Sequence, residues 1–97
     1  MISQKTEVLI FLKTLPRDKV TTYKALAQKF WTHPRAIASY MRINKERDSY
    51  PCYKVVAHDG WVSGYILGVD EKIRRLTNDG VIVQNNMVAE ECILRMV

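Results

Sequence analysis

Two short amphipathic segments, residues 21–30 and 34–43, meet at a tight connection that limits the folds open to this chain. In the first segment, Thr21 or Thr22 is a good helix N-cap, and the apolar residues that follow share one face. Pro34 suits the first turn of the second segment, where its missing N–H costs nothing. The outer face of that segment combines small and basic side chains, which are Arg35, Ala38, Ser39 and Arg42. The pattern predicts a helix-turn-helix, and an ordinary helical hairpin is the alternative.

Three further helical segments are expected from the spacing of apolar residues. The pattern predicts a helix over residues 6–15, which Pro16 closes because proline cannot continue a helix. A second helix is predicted over residues 70–78, with Asp79-Gly80 ending it. Residues 89–96 are expected to form a last helix or turn.

The β structure expected from the sequence is small. Residues 50–56 look extended, and Asp59-Gly60 favours a hairpin that joins Val55-Val56 to Trp61-Val62. Residues 81–83 can add a short strand. The expected fold class is therefore mainly α with a small β hairpin or wing.

The composition bounds the kind of protein. A chain of 97 residues is long enough for one domain with a modest core. No apolar run approaches the roughly 20 residues of a membrane helix, and the N-terminus lacks the order of a secretory signal, so we expect an intracellular protein with no membrane partner. The net charge of +5 favours a polyanionic partner.

The cysteines and histidines do not have the spacing of a metal site. Cys52 and Cys92 are widely separated from His33 and His58, and an intracellular chain normally keeps its thiols reduced. We therefore expect no metal and no cofactor.

The run from Tyr50 to Val56 places a thiol in a fixed position. Cys52 follows a proline and precedes two valines, with the ammonium of Lys54 two residues later. A nearby cation lowers a thiol pKa and raises the thiolate fraction. Cys52 is therefore a candidate nucleophile, and a buried structural cysteine is the alternative.

Four stretches occur in an order that is typical of one family. The first three are Leu15 to Tyr23, Pro34 to Asn44 and Pro51 to Val56. The fourth runs from Ser63-Gly64-Tyr65 and Gly68 through a helix that contains Lys72 to Asp79-Gly80. Over residues 5–83 the chain resembles the DNA-binding and catalytic domain of the alkylguanine-DNA alkyltransferases, the suicidal methylated-DNA–protein-cysteine methyltransferases. It resembles the forms that lack the variable N-terminal domain, with residues 1–97 as a single domain.

The resemblance implies a winged helix-turn-helix fold whose recognition helix lies in the minor groove of DNA. Proteins of this family flip the damaged guanine out of the duplex, because a stacked base cannot present its alkyl carbon to a thiolate. They then move the alkyl group irreversibly onto the motif cysteine. The implied partner is double-stranded DNA with an alkylated guanine, bound by a monomer in the nucleoid-containing cytoplasm or the nucleus.

The resemblance also implies roles for individual residues. Arg35 would fill the vacated stack, Tyr23 would rotate the nucleotide and help protonate guanine, and Tyr65 would line the pocket. Asn44 would tie the recognition helix to the active-site segment. The catalytic set is Cys52, Tyr53, Lys54, Asp79 and Tyr23. The set that contacts substrate or DNA is Arg35, Tyr23, Asn44, Tyr65, Arg42, Ala38, Ser39 and Gly68.

The chain departs from the family motif Pro-Cys-His-Arg-Val beside the cysteine. Tyr53 stands at the histidine that relays a proton, Lys54 at the arginine, and Asp79 at the distal glutamate. Neutral tyrosine, with a pKa of about 10, is a poor proton acceptor at pH 7. Activation of Cys52 would have to come from Lys54, from helix or backbone dipoles, or from an ionised Tyr53, and we expect slower transfer.

Two other functions are compatible with the sequence. A non-enzymatic lesion sensor of the alkyltransferase-like type would bind and flip alkylated guanine and signal to another repair pathway. A winged-helix transcription regulator would need side chains that read base edges in the major groove, and a small-residue face is poor material for that.

Overall fold

The structure is a computed structural model that describes residues 2–97. Within these residues, four helices and five short strands follow one another. They are α1 (Gln4–Leu12), β1 (Val20–Thr22), α2 (Tyr23–Lys29), α3 (Pro34–Ile43), β2 (Val55–Val56), α4 (Val69–Asn78), β3 (Val83–Gln84), β4 (Met87–Val88) and β5 (Ile93–Leu94).

Helix α1 is shifted towards the N-terminus of the predicted segment. It begins after Ser3, whose side chain accepts a hydrogen bond from the Thr6 N–H. It ends at Leu12 because the next N–H groups bond to carbonyls three residues back, as in the Thr14 N–H to Phe11 O bond of 2.9 Å. Such bonds tighten the last turn and stop the α-helix before proline is reached.

The helix-turn-helix is confirmed. Thr22 caps α2 through a 3.0 Å bond from the Ala25 N–H to its side-chain oxygen. Helix α3 begins with Pro34 and buries Ile37 and Met41 against the rest of the core. The two helices pack directly on one another.

The strand pairing differs from the expected hairpin. Val55-Val56 pairs in parallel with β1, and β1 also pairs in parallel with β5, so β1 is the central strand of a small sheet. The chain does turn at Gly60, but Trp61 bridges Met87 instead of closing a hairpin with Val55-Val56. The expected hairpin was wrong because Val55-Val56 pairs with β1, a strand that lies far away in sequence.

The wing is the antiparallel hairpin of β3 and β4. Its turn residues, Asn85 and Asn86, have φ values of 53° and 60°. Asparagine tolerates this left-handed region better than most residues, which suits it to a two-residue hairpin turn.

The C-terminal half contains one confirmed helix and one segment that forms the turn expected as an alternative to a helix. Helix α4 covers the predicted residues and ends at Asp79 and Gly80, which has a φ of +91°. For residues 89–96, where a helix or a turn was expected, the structure has the turn: Glu90–Cys92 make one 3-10 turn that leads into β5. The result is a mainly α winged helix-turn-helix. Within residues 2–97, none of the helices has the length and apolar character needed to cross a bilayer.

Gly60 is predicted to be the glycine most sensitive to substitution. Its φ is +93°, and an added Cβ would lie 3.0 Å from the Val88 carbonyl oxygen. We expect Gly60→Ala to lower the free energy of unfolding by about 2 kcal/mol, measured by urea denaturation. The control is Gly64→Ala, because a Cβ there meets nothing within 4 Å. Equal effects of the two substitutions would contradict this expectation.

Candidate functional site

A cavity of about 570 Å³ opens beside the motif cysteine. This volume lies within the usual range for a small-molecule pocket. The cavity is lined by residues of α2, α3 and α4, of the segment before β2 and of the loop after β2. These residues are Tyr23, Ala38, Met41, Arg42, Cys52, Ser63, Gly64, Tyr65, Ile66 and Lys72.

Backbone hydrogen bonds hold Cys52 at the wall of this cavity. Cys52 is 3% exposed and begins a single 3-10 turn that ends at Lys54. Its N–H donates to the Tyr50 carbonyl at 2.8 Å, and the same carbonyl accepts from Nδ2 of the buried Asn44 at 3.0 Å. Asn44 follows the last residue of α3, so it connects this helix to the segment that carries the thiol.

The 3-10 turn explains why Lys54 is not beside Cys52. In an extended strand, residues 52 and 54 would share a face, whereas a 3-10 turn rotates successive side chains by about 120°. The ammonium of Lys54 donates to the carbonyls of Pro16 and Arg17 at 2.8 and 2.9 Å. Lys54 lines a different cavity and supports the turn after α1.

Lys72 is a buried cation that lines the cavity beside Cys52 (the thiol cavity). Its side chain is 1% exposed, its Nζ donates to the Val55 carbonyl at 2.7 Å, and it lies 5.9 Å from the centre of the Tyr23 ring. Burial lowers the pKa of Lys72 to about 8, and a thiolate at Cys52 acts in the opposite direction. Lys72 had no expected role, although its position on the apolar face of α4, with Val69, Ile73 and Leu76, is a signal that the sequence contains.

Tyr53 and Asp79 form a pair in a second cavity, which Lys54 also lines and which has a volume of about 580 Å³. The Tyr53 hydroxyl donates to Oδ2 of Asp79 at 2.5 Å, and Arg17 Nε approaches Oδ1 at 3.3 Å. Burial and then the bond to Asp79 raise the pKa of Tyr53 well above its ordinary value. Tyr53 is therefore a neutral donor at pH 7. An ionised Tyr53 as the base for Cys52 is inconsistent with this geometry.

Two tyrosines do line the thiol cavity. Tyr23 begins α2, and its hydroxyl lies 3.3 Å from the Ser63 hydroxyl. Burial raises the pKa of both Tyr23 and Tyr65, so both stay protonated at neutral pH. Gly68 donates its N–H to the Tyr65 carbonyl at 2.8 Å and has a φ of +98°, which fixes the loop before α4.

The outer face of α3 forms one edge of the cavity. Ala38 and Arg42 line the cavity, while Ser39 is partly exposed and does not line it. Arg35 is exposed in the first turn of the same helix, about 10 Å along the axis from Arg42. The catalytic residues expected from the sequence thus lie at two different cavities. Cys52 and Tyr23 line the thiol cavity, whereas Tyr53, Lys54 and Asp79 line the other one.

No cluster of three or more His, Cys, Asp or Glu side chains suited to a metal ion occurs within residues 2–97.

The shifted pKa of Lys72 predicts a pH-dependent stability. Because its folded pKa is about 8 against 10.5 as a free side chain, the unfolded chain binds more protons above pH 8. The contribution of Lys72 to stability therefore rises with pH, by about 1 kcal/mol between pH 7 and pH 9. Urea unfolding of the wild type and of Lys72→Met at both pH values measures this difference. Parallel pH profiles for the two proteins would contradict it.

Comparisons with known proteins agree on a single family. Residues 3–81 match the family described as "6-O-methylguanine DNA methyltransferase, DNA binding domain". The chain is 42% identical over 79 residues to a bifunctional methyltransferase/endonuclease of Picrophilus torridus, covering 79% of this chain and 26% of the relative. It is 41% identical over 69 residues to a methylated-DNA–protein-cysteine methyltransferase of Thermococcus kodakarensis, covering 71% and 39%. The chain thus spans less than half the length of these two relatives.

Solved structures share the fold. The O6-methylguanine-DNA methyltransferase of Pyrococcus kodakaraensis superposes with a TM-score of 0.76 at 36% identity, over 84% of this chain and 48% of that one. Atl1 of S. pombe, solved with damaged DNA containing O6-carboxymethylguanine, superposes with a TM-score of 0.74 at 21% identity, over 87% and 83%. The chain therefore belongs to the 6-O-methylguanine DNA methyltransferase family of DNA repair alkyltransferases and contains its DNA-binding domain.

Proposed function

We propose that this protein binds alkylated duplex DNA in the minor groove, flips the O6-alkylguanine and takes the alkyl group irreversibly onto Cys52. The observation that carries the proposal is that Cys52, the buried Lys72 and the protonated Tyr23 line one cavity. This arrangement supplies a nucleophile, a nearby amine and a proton donor without the histidine of the family motif.

Lys72 replaces the missing histidine as the group that takes the thiol proton. With a pKa of about 8, about a tenth of the Lys72 population is a neutral amine at pH 7. Transfer of the thiol proton creates a thiolate beside an ammonium ion, and a neighbouring cation favours the thiolate. The low-dielectric surroundings strengthen that attraction.

Alkyl transfer is then a single displacement. Sγ of Cys52 forms a bond to the alkyl carbon while the bond from that carbon to O6 breaks, and the electron pair leaves with guanine. Guanine takes up one proton, which Tyr23 can donate and Lys72 can restore. The balanced products are an S-alkylcysteine and an unmodified guanine, so each molecule reacts once.

The recognition helix provides access to the lesion. Arg35 occupies the space that the flipped nucleotide leaves, and the small side chains of Ala38 and Ser39 let the backbone approach the groove. Arg42 and Tyr65 both line the cavity. In this proposal Tyr65 contacts the flipped base. Phosphate contacts by basic residues give affinity without sequence preference.

A lesion sensor without transfer activity is the second candidate. It is favoured by one observation: the residue at the histidine position, Tyr53, is engaged by Asp79 in the other cavity and does not serve Cys52. The fold shared with Atl1 is compatible with this candidate.

Restoration of guanine in DNA distinguishes the two candidates. The protein is incubated with a duplex that contains one O6-methylguanine, and the nucleosides are quantified after digestion. We expect one guanine restored per protein molecule and none with Cys52→Ala. Lesion-selective binding by the wild type with all of the O6-methylguanine retained would refute transfer and support the sensor.

A further inference from the structure

The turn between α2 and α3 exposes a tryptophan at an unfavourable backbone position. The Trp31 side chain is 95% exposed, and its φ is 55°. The Thr32 N–H bonds to the Ala27 carbonyl at 2.9 Å, which closes the C-terminus of α2 around Trp31. Glycine is the usual residue at this position because a side chain in the left-handed region is strained.

The indole contributes nothing visible to the fold. Within residues 2–97, Trp31 belongs to neither of the two buried clusters that form the core. A large apolar side chain that is almost fully exposed on a strained turn points to a contact with a partner. The second tryptophan, Trp61, is half exposed and bridges Met87 of the wing, so it has a structural contact.

The charge around Trp31 indicates which partner this is. Residues 19–45 contain no Asp or Glu, and their six cationic side chains are Lys19, Lys24, Lys29, Arg35, Arg42 and Lys45. Trp31 lies between Lys29, the last residue of α2, and Arg35 in the first turn of α3. A basic segment without acidic residues, with an exposed aromatic side chain, suits a nucleic acid, because the cations neutralise phosphates and the ring packs on bases or sugars.

We propose that Trp31 is a DNA-contacting residue that packs its indole against the duplex beside the site where Arg35 enters the groove. The occupant is duplex DNA, so the inference rests on the proposed function and extends it. Apolar side chains are used in this way by minor-groove proteins that wedge against base steps. The contact holds the N-terminus of α3 on the DNA and increases affinity for any duplex.

Trp31→Gly separates DNA contact from folding because the two effects have opposite signs. Glycine relieves the backbone strain, so we expect the Tm to stay unchanged or rise by up to about 5 °C. Loss of the indole is expected to weaken duplex binding by about tenfold, measured by fluorescence anisotropy at fixed salt. Trp31→Phe, which keeps an aromatic ring, should retain most of the affinity.

A second measurement observes the indole directly. In Trp61→Phe, Trp31 is the remaining tryptophan, and its emission should be quenched when an unlabelled duplex is added. Trp61→Phe itself should bind DNA like the wild type and serves as the matched control.

Three outcomes would overturn the inference. The first is a loss of affinity below about threefold in Trp31→Gly. The second is a fall in Tm that accompanies weaker binding, which would give Trp31 a structural role. The third is unchanged emission, or quenching by an added protein partner in place of DNA. If Trp31→Gly binds normally and Cys52 still accepts the alkyl group, the inference alone fails. A wild type that binds no duplex would defeat the proposed function as well.

Discussion

Lys72→Met is expected to slow alkyl transfer to Cys52 by about 100-fold at pH 7, the usual size of a lost general base. Lys72 is 1% exposed on α4, and methionine has a similar volume, so we expect the cavity to keep its shape. What is removed is the amine that takes the thiol proton and the cation that then stabilises the thiolate. Single-turnover transfer from a methylated duplex measures the rate.

Lys54→Met is the matched control for this experiment. Lys54 is also a buried lysine, at 4% exposure, but its ammonium bonds to Pro16 and Arg17 in the other cavity. We expect Lys54→Met to lower the free energy of unfolding and to leave the transfer rate of the folded protein within about threefold. If Lys54→Met abolished transfer and Lys72→Met did not, activation would belong to Lys54.

Arg35→Ala is expected to reduce transfer from duplex DNA by about 100-fold, because extrusion of a base costs a few kcal/mol that Arg35 offsets. The same variant should react with a free O6-alkylguanine base at the wild-type rate, since a free base does not need to be flipped. Comparison of the two substrates therefore separates base flipping from chemistry. Both are measured under single-turnover conditions.

Arg74→Ala controls for the loss of a surface arginine. Arg74 is exposed on α4 and pairs with Glu71 at 2.6 Å, outside the recognition helix. Its removal should leave both reactions unchanged. An equal loss of rate with both substrates in Arg35→Ala would show that Arg35 does not act through flipping.

Local sequence signals were sufficient for the helix-turn-helix. Thr22 and Pro34 mark the starts of α2 and α3, and the bounds of α3 agree with the predicted segment. Caps and proline act within one helical turn, so their effect can be read without the tertiary structure. The parallel sheet could not be predicted in this way, because β1 pairs with Val55 and Leu94, which are distant in sequence.

The thiol cavity could also be predicted only in part from the sequence. Cys52 and Tyr23 were identified from motifs, and they do line one cavity. The position of Lys54 was wrong because residues 52–54 form a 3-10 turn where an extended strand was expected. Lys72 comes to the thiol from a helix that begins 17 residues later, so only the folded chain brings the two together.

The central claim, that Cys52 accepts an alkyl group without the motif histidine, is tested most directly by the mass of the intact protein. After incubation with a duplex that carries one O6-methylguanine, the mass should increase by one methylene, and peptide mapping should place it on Cys52 and not on Cys92. Cys52→Ala should show no increase. An unchanged wild-type mass at pH 7 and at pH 9, in a protein that still binds the lesion selectively, would contradict the claim.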